Sequence, residues 1–223
     1  MNYFDPDFIE FFKELAANNH KDWFDLNRKR YTDIVKEPFK KFVGDLIEEV
    51  QKLNPKIKEI EPKDCIFRIN RDIRFSKDKT PYKMNVSALI APGGKKDYQG
   101  EGVYVELGPE HVRVYGGLYE PDKENLLTLR EGIAKNPEAF KKVYSAKEFE
   151  SYFGIIRGDQ NKIIPKDLKP AGEKEPLIYN KQFYYFSEME PEAMTKGDFM
   201  EQVLLRYKAG RPVEQYFSKI LKR

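Results

Sequence analysis

The chain has 223 residues, with 40 Lys and Arg against 37 Asp and Glu, a formal net charge of +3. Hydrophobic residues make up 40% and aromatics 14%, enough apolar surface to offset chain entropy, so a disordered chain is excluded. A single cysteine, Cys65, excludes a disulfide scaffold, and no stretch of about 18 apolar residues free of charge offers a membrane span.

The N-terminus reads as helix. Asp5 can cap it and Pro6 suits the first helical position, and Phe8, Phe11, Phe12 and Leu15 recur at helical spacing. Asn18-Asn19 stops the pattern. A second helical region begins near Lys21, with Trp23, Leu26, Tyr31, Ile34 and Val35 on one side. Pro38 predicts a break or kink near Lys36-Glu37, after which helix resumes through Phe39, Phe42, Val43, Leu46, Ile47 and Val50. Cys65 to Asn70 is short, β-rich and roughly alternating, and is expected to be a strand with Cys65 buried and inert. Asn85 to Ala91, Gly102 to Leu107 and His111 to Tyr115 read as three further strands joined by short turns, which predicts an antiparallel meander. In the second, Val103, Val105 and Leu107 alternate against Tyr104 and Glu106.

Helices are expected from Pro121-Asp122 and from Pro137, a loop over about 157–175, and a late strand over Lys181 to Met189. A helix around Phe199 to Tyr207 and a separate final one over Pro212 to Leu221 follow. This order predicts an α+β fold in one domain spanning 1–223. It would be helical over 5–54, mainly strands over 64–118, and mainly helical over 121–223. The antiparallel sheet would be a meander of at least three strands, flanked by N- and C-terminal helices. Met1 to Asp5 carries no basic and apolar leader, and a lone cysteine suits a reducing compartment, so a cytoplasmic location is expected.

One segment concentrates charge. Residues 68–83 hold six basic and two acidic side chains, a local +4 in a chain whose total is +3. Arginine forks suit phosphate and carboxylate oxygens. The candidate ligand-binding residues are therefore Arg68, Arg71, Arg74 and Lys79, joined by Arg28. Asp72 would orient the arginines or act as a base, and Tyr82 would donate to the ligand, so these two are the catalytic candidates. The bland alternative is a structural ion-pair network or a charged strand edge. A further alternative is a non-enzymatic surface for nucleic acid or an acidic partner, with Phe75, Tyr82 or Tyr98 stacking and the basic 196–223 run contributing. An anionic small molecule is preferred, because near-zero net charge disfavours broad electrostatic attachment. No cofactor is assigned, since both common nucleotide-binding fingerprints are absent. No metal is expected either, because His20 and His111 have no His or Cys at ligand spacing.

The pattern Arg68-x-x-Arg71-Asp72-x-Arg74-Phe75, followed by Asp78-Lys79-x-x-Tyr82, resembles the signature of an uncharacterised family, domain of unknown function 2461. The likeness extends to Asn18-Asn19-x-x-x-Trp23-Phe24 with Arg28 and Tyr31, to Pro38-Phe39, and to Gly116-Gly117 through Pro121 and Arg130. It covers most of residues 8 to 140 and matches the C-terminal third poorly. The resemblance implies that the Arg, Asp, Lys and Tyr set is a family hallmark. It implies no activity. Trp23, Asn27 and Tyr31 share a helix face that is read as core packing in preference to a ligand wall.

Overall fold

A computed structural model describes residues 1–99 and 101–222. Ten helices occur among them: α1 Asp7–Ala17, α2 Lys21–Leu26, α3 Arg28–Arg30, α4 Glu37–Leu53, α5 Pro62–Cys65, α6 Lys123–Lys135, α7 Pro137–Tyr144, α8 Lys147–Phe153, α9 Lys169–Lys174 and α10 Phe199–Leu221. The strands are β1 Val86–Ile90, β2 Val103–Leu107, β3 Val112–Leu118 and β4 Phe183–Met189. They form one antiparallel sheet in the order β1-β2-β3-β4. The expected α+β class and meander are both present, and the late strand extends the meander by one.

Alternation decides which face of the sheet meets the helices. Val103, Val105 and Leu107 of β2, with Val112 and Val114 of β3, are buried against α1, α4 and the start of α10. Leu118 of β3, with Phe183 and Tyr185 of β4, packs into a second apolar cluster with α6, α7, α8 and the end of α10. The sheet and α10 therefore join the two clusters. The opposite strand positions, Tyr104, Glu106, Arg113, Tyr115, Tyr184 and Phe186, stand on the face that no helix among the described residues covers, and are half-buried.

The helical repeats were legible. Phe8, Phe11, Phe12 and Leu15 are all buried, and Asp5 Oδ1 accepts from the Asp7 N–H at 2.8 Å. The interruption expected at Pro38 is a π-helical stretch, Tyr31–Lys36, running directly into α4. Pro38 sits in the first turn of α4, where its missing N–H is tolerated. No helix among the described residues is long and apolar enough to cross a membrane.

Three expectations need correction. Cys65 to Asn70 is not a strand. Glu61 and Asp64 form a reciprocal capping box around Pro62, so residues 62–65 turn helical, and only isolated bridges Ile66↔Ala88 and Asn70↔Tyr82 follow. Cys65 is still buried, and burial pushes its thiol up to about 11. The segment around 157–175 is not mainly loop. It holds α9 and a 3-10 turn, and the bridges Arg157↔Tyr184 and Gln160↔Asn180 attach it beside β4. Finally, Pro212 does not start a helix but lies inside α10. Pro212 and Lys208 are both exposed, so the missing Pro212 N–H falls on the solvent side of the helix.

Candidate functional site

The 68–83 segment is a hairpin-like arm. The Arg71 N–H donates to Pro81 O at 2.9 Å, and the Lys83 N–H donates to Ile69 O at 2.8 Å. Asn19 clamps its base from the helical side. Its Nδ2 donates to Tyr82 O at 2.9 Å, and its Oδ1 accepts from the Tyr82 N–H at 3.1 Å. The Tyr82 ring stacks on Phe24 with 4.0 Å between centroids and is 5% exposed. Tyr82 is thus an aromatic anchor of the first apolar cluster.

The arm's charges answer one another. Arg71 pairs with Asp78 and also donates to Thr80, through Oγ1 and, at 3.2 Å, the carbonyl. Arg74 grips Asp72 through two bonds, Nε to Oδ1 at 3.0 Å and Nη2 to Oδ2 at 2.7 Å. Lys79 Nζ donates to Ile73 O at 2.8 Å. Arg28 pairs with Asp25 and lies over Phe24. The Arg74 side chain and backbone hold the Asp72 carboxyl down to about 2. The Thr80 backbone and the Arg71 guanidinium do the same for Asp78. Asp72 is therefore ionised and already engaged, a weak base at neutral pH. None of the four cavities described is lined by Arg28, Arg68, Arg71, Asp72, Arg74, Lys79 or Tyr82. The structure brings Arg71, Asp78 and Thr80 together, and Asp72 with Arg74. It does not gather the whole set around one concave surface. Phe75 at the arm's tip is 95% exposed.

A ligand-sized cavity of about 380 Å³ lies elsewhere, on the open face of the sheet. Tyr104, Tyr115 and Tyr184 in its lining follow from the period of two along each strand, and Phe67 joins them from the arm. Phe67, Tyr104, Tyr115 and Phe186 form a row in which successive centroids are 5.9, 5.3 and 5.1 Å apart. Cations cap both ends of the row. Lys83 Nζ is 5.4 Å from the Phe67 centroid, and Arg113 and Arg157 approach Phe186 to 5.1 and 4.4 Å. Tyr119 and Tyr184 close another side.

Lys83 is the arm's last basic residue, and it lines this cavity. It is half-buried and, among the described residues, has no ion-pair partner within 4 Å. Burial and the neighbouring Arg68 both push its pKa down, while Glu106 opposes them. Arg68 is exposed and close enough to act on both Asp72 and Lys83. Glu106 is committed. Its Oε1 is 3.0 Å from His111 Nε2, and its Oε2 accepts from the Tyr104 hydroxyl at 3.3 Å. Burial raises the pKa of the Tyr104 and Tyr115 hydroxyls, so both remain protonated donors.

The cavity floor is glycine. Gly102, Gly116 and Gly117 line it where the β2–β3 ladder ends at Tyr104↔Tyr115. Gly117 has φ +92, and a Cβ there would lie 2.2 Å from Phe183 O. A Cβ on Gly102 would lie 2.1 Å from Ile90 O. Both positions therefore require glycine. Behind this floor lies Glu214 of α10, 5% exposed, whose Oε1 accepts from the Gly117 N–H at 3.5 Å. Burial pushes its carboxyl up to about 8. Nearby Glu101 is saturated by Lys56 at 2.6 Å and Arg211 at 3.1 Å.

Sequence reasoning missed this face. The signal was the alternation of Tyr104 and Glu106 against buried valines, continued by Arg113 and Tyr115 and by Tyr184 and Phe186. The architecture and cavity define an α+β protein with an aromatic cavity, lined by Lys83, on the open face of an antiparallel sheet. The chain belongs to the family described as Conserved hypothetical protein (DUF2461), whose model matches residues 7–216. No curated protein matches the sequence.

Proposed function

We propose that this chain binds a planar anionic small molecule, an aromatic ring bearing a phosphate or carboxylate, in the cavity on the open sheet face. The observation that carries this reading is Lys83: a half-buried ammonium without an ion-pair partner at one end of a row of aromatic rings. A buried cation is costly unless an anion compensates it. The flat rings of Tyr104 and Tyr115 supply stacking surface beside it. The volume of about 380 Å³ falls in the usual range for small-molecule pockets. Arg68 is near enough to Lys83 to lower its pKa and adds positive potential there. The charged arm thus serves the pocket through its base, at Arg68 and Lys83, while Arg71, Arg74 and Lys79 shape the arm itself. The reading assigns binding and no reaction.

The row of rings would also stack the bases of a single strand. Against that stand the carboxylates of Asp97 and Glu106 in the cavity lining and of Glu188 beside Arg113, which interrupt any continuous track for phosphates.

Isothermal titration with phenyl phosphate, inorganic phosphate and phenol tests the reading. Phenyl phosphate is expected to bind more tightly than either fragment, and Lys83→Ala is expected to remove the advantage. Equal, negligible heats from all three would refute it. Tighter binding of a single-stranded oligonucleotide, falling steeply with salt, would favour the strand reading.

A further inference from the structure

We infer that Asp97 is the second polar anchor of the sheet-face cavity and reads the far edge of the ligand. The ligand is then nucleotide-like: a phosphate held at Lys83, and a flat heteroaromatic ring whose opposite edge presents N–H donors, as guanine does, to the Asp97 carboxylate. This rests on the binding reading above and narrows its ligand class.

Three observations carry it. First, Asp97 lines the cavity itself, is half-buried, and has no ion-pair partner among the described residues. Its Oδ2 accepts from the Gly93 N–H at 3.1 Å, and its Oδ1 meets no donor among the described residues. A carboxylate offers about four lone-pair sites, so the group can still accept from a ligand. Second, the cation and the carboxylate reach the cavity from opposite ends of one strand. Lys83 precedes β1 and Asp97 follows it, and β1 spans about 13 Å from Val86 to Ile90. On the paired β2, Glu106 lies at the Lys83 end, and Gly102 precedes the strand at the Asp97 end. A ligand that meets both groups lies along β1, with its charge and its N–H edge at opposite ends. Third, the Asp97 end carries large rings that the core does not use. Tyr98 and Tyr119 line the cavity there and are 45% and 55% exposed. Exposed rings beside a hydrogen-bonding group are the usual means of holding and reading an unpaired base. Gly102, Gly116 and Gly117 line the cavity without side chains, which leaves room for a sugar or other linker between the ends.

The chemistry of a carboxylate sets both the orientation and the choice of ring. Negative charge at Asp97 repels a phosphate, so the phosphate belongs at Lys83 and the ring edge at Asp97. Asp97 and Tyr98 also wall a second cavity of about 630 Å³, whose lining holds Glu101 and Glu120 beside Lys56 and Lys96 and offers the phosphate no net attraction. An ionised carboxylate accepts hydrogen bonds and donates none. It therefore matches an edge with two adjacent donors, the ring N–H and the amino group of guanine. Adenine presents a bare ring nitrogen beside its amino group, and that acceptor would face the carboxylate unpaired.

The test compares guanosine monophosphate, adenosine monophosphate, guanosine and phenyl phosphate by calorimetry on the full chain. Guanosine monophosphate is expected to bind about tenfold more tightly than adenosine monophosphate or phenyl phosphate, from added hydrogen bonds to a charged acceptor. Asp97→Ala should bring it down to the level of adenosine monophosphate. Asp97→Asn offers one donor and one acceptor, the pattern that pairs with adenine, so it should turn the preference toward adenosine monophosphate, a reversal that a merely structural role would not produce. Phenyl phosphate binding with no preference between the two nucleotides overturns the role of Asp97 alone, as does a guanine preference that survives Asp97→Ala. Guanosine binding as tightly as its monophosphate, or no binding of any phosphate ester, overturns the cavity reading and this inference with it.

Discussion

The charged arm and the open sheet face spend their polar groups in opposite ways. In the arm, Arg71, Arg74 and Lys79 each meet an acceptor within the arm, at Asp78 and Thr80, Asp72, and Ile73 O respectively. On the sheet, fewer charges stand among aromatic rings, and Lys83 remains without a carboxylate partner among the described residues. A dense run of opposite charges close in sequence satisfies itself. A single cation delivered to an aromatic surface by the same chain does not. Local charge density singled out the arm, where Arg71, Arg74 and Lys79 pair among themselves, and Lys83 at its end is the basic side chain that lines the cavity.

The contrast can be broken by substitution, and the largest effect should come at the arm's root. Tyr82→Ala removes a buried ring stacked on Phe24 and is expected to cost about 3–4 kcal/mol in chemical unfolding. If Tyr82 instead served the ligand, the loss would fall on affinity with stability nearly intact. Next in size is the pH dependence contributed by Glu214. Its folded value of about 8 stands above the ordinary 4.5, so the folded state holds a proton the unfolded chain releases. This contribution is present below pH 4.5 and is lost as pH rises to about 8. Denaturation curves of the wild type and Glu214→Gln should therefore diverge across that interval, with the variant flatter and more stable at pH 8.

Lys83→Ala should weaken phenyl phosphate binding by about tenfold or more, with only a small change in melting temperature. The smallest effects belong to the arm's exterior. Asp72 and Asp78 have folded values of about 2 against an ordinary 3.8. Their pairings contribute stability above pH 3.8 that is lost as pH falls toward 2. Backbone NMR shifts of residues 71–80 should move in that window before the sheet does. Phe75→Ala, at a site 95% exposed, should leave the unfolding midpoint within about 0.5 kcal/mol of wild type.

Much of this fold could be read from the chain because its main elements follow simple periods. The Phe8 to Leu15 repeat and the Val103, Val105, Leu107 alternation each named a buried face. Where local signals competed, the reading failed. Pro62 and its capping box overrode the β-rich Cys65 to Asn70 stretch, and tertiary packing carried α10 through Pro212. The site was only half legible. The arm's pattern drew attention to residues 68–83, and Lys83 was among the charges counted there. Which charges would be free depended on pairings at separations of two to nine residues, such as Arg74 with Asp72 and Arg71 with Thr80. The aromatic wall needed three strands brought into register, Tyr104 opposite Tyr115 and Tyr115 opposite Phe186, which no local pattern specifies. Nothing in the local pattern of the late helix singles out Glu214, which burial beneath Gly117 distinguishes.

Amide chemical-shift mapping with phenyl phosphate separates the two regions most directly. Perturbations centred on Lys83, Gly102, Tyr104, Tyr115 and Gly117, with residues 71–80 unmoved, are the expected result. Perturbations centred on Arg71, Arg74 and Lys79, with the sheet silent, would contradict it.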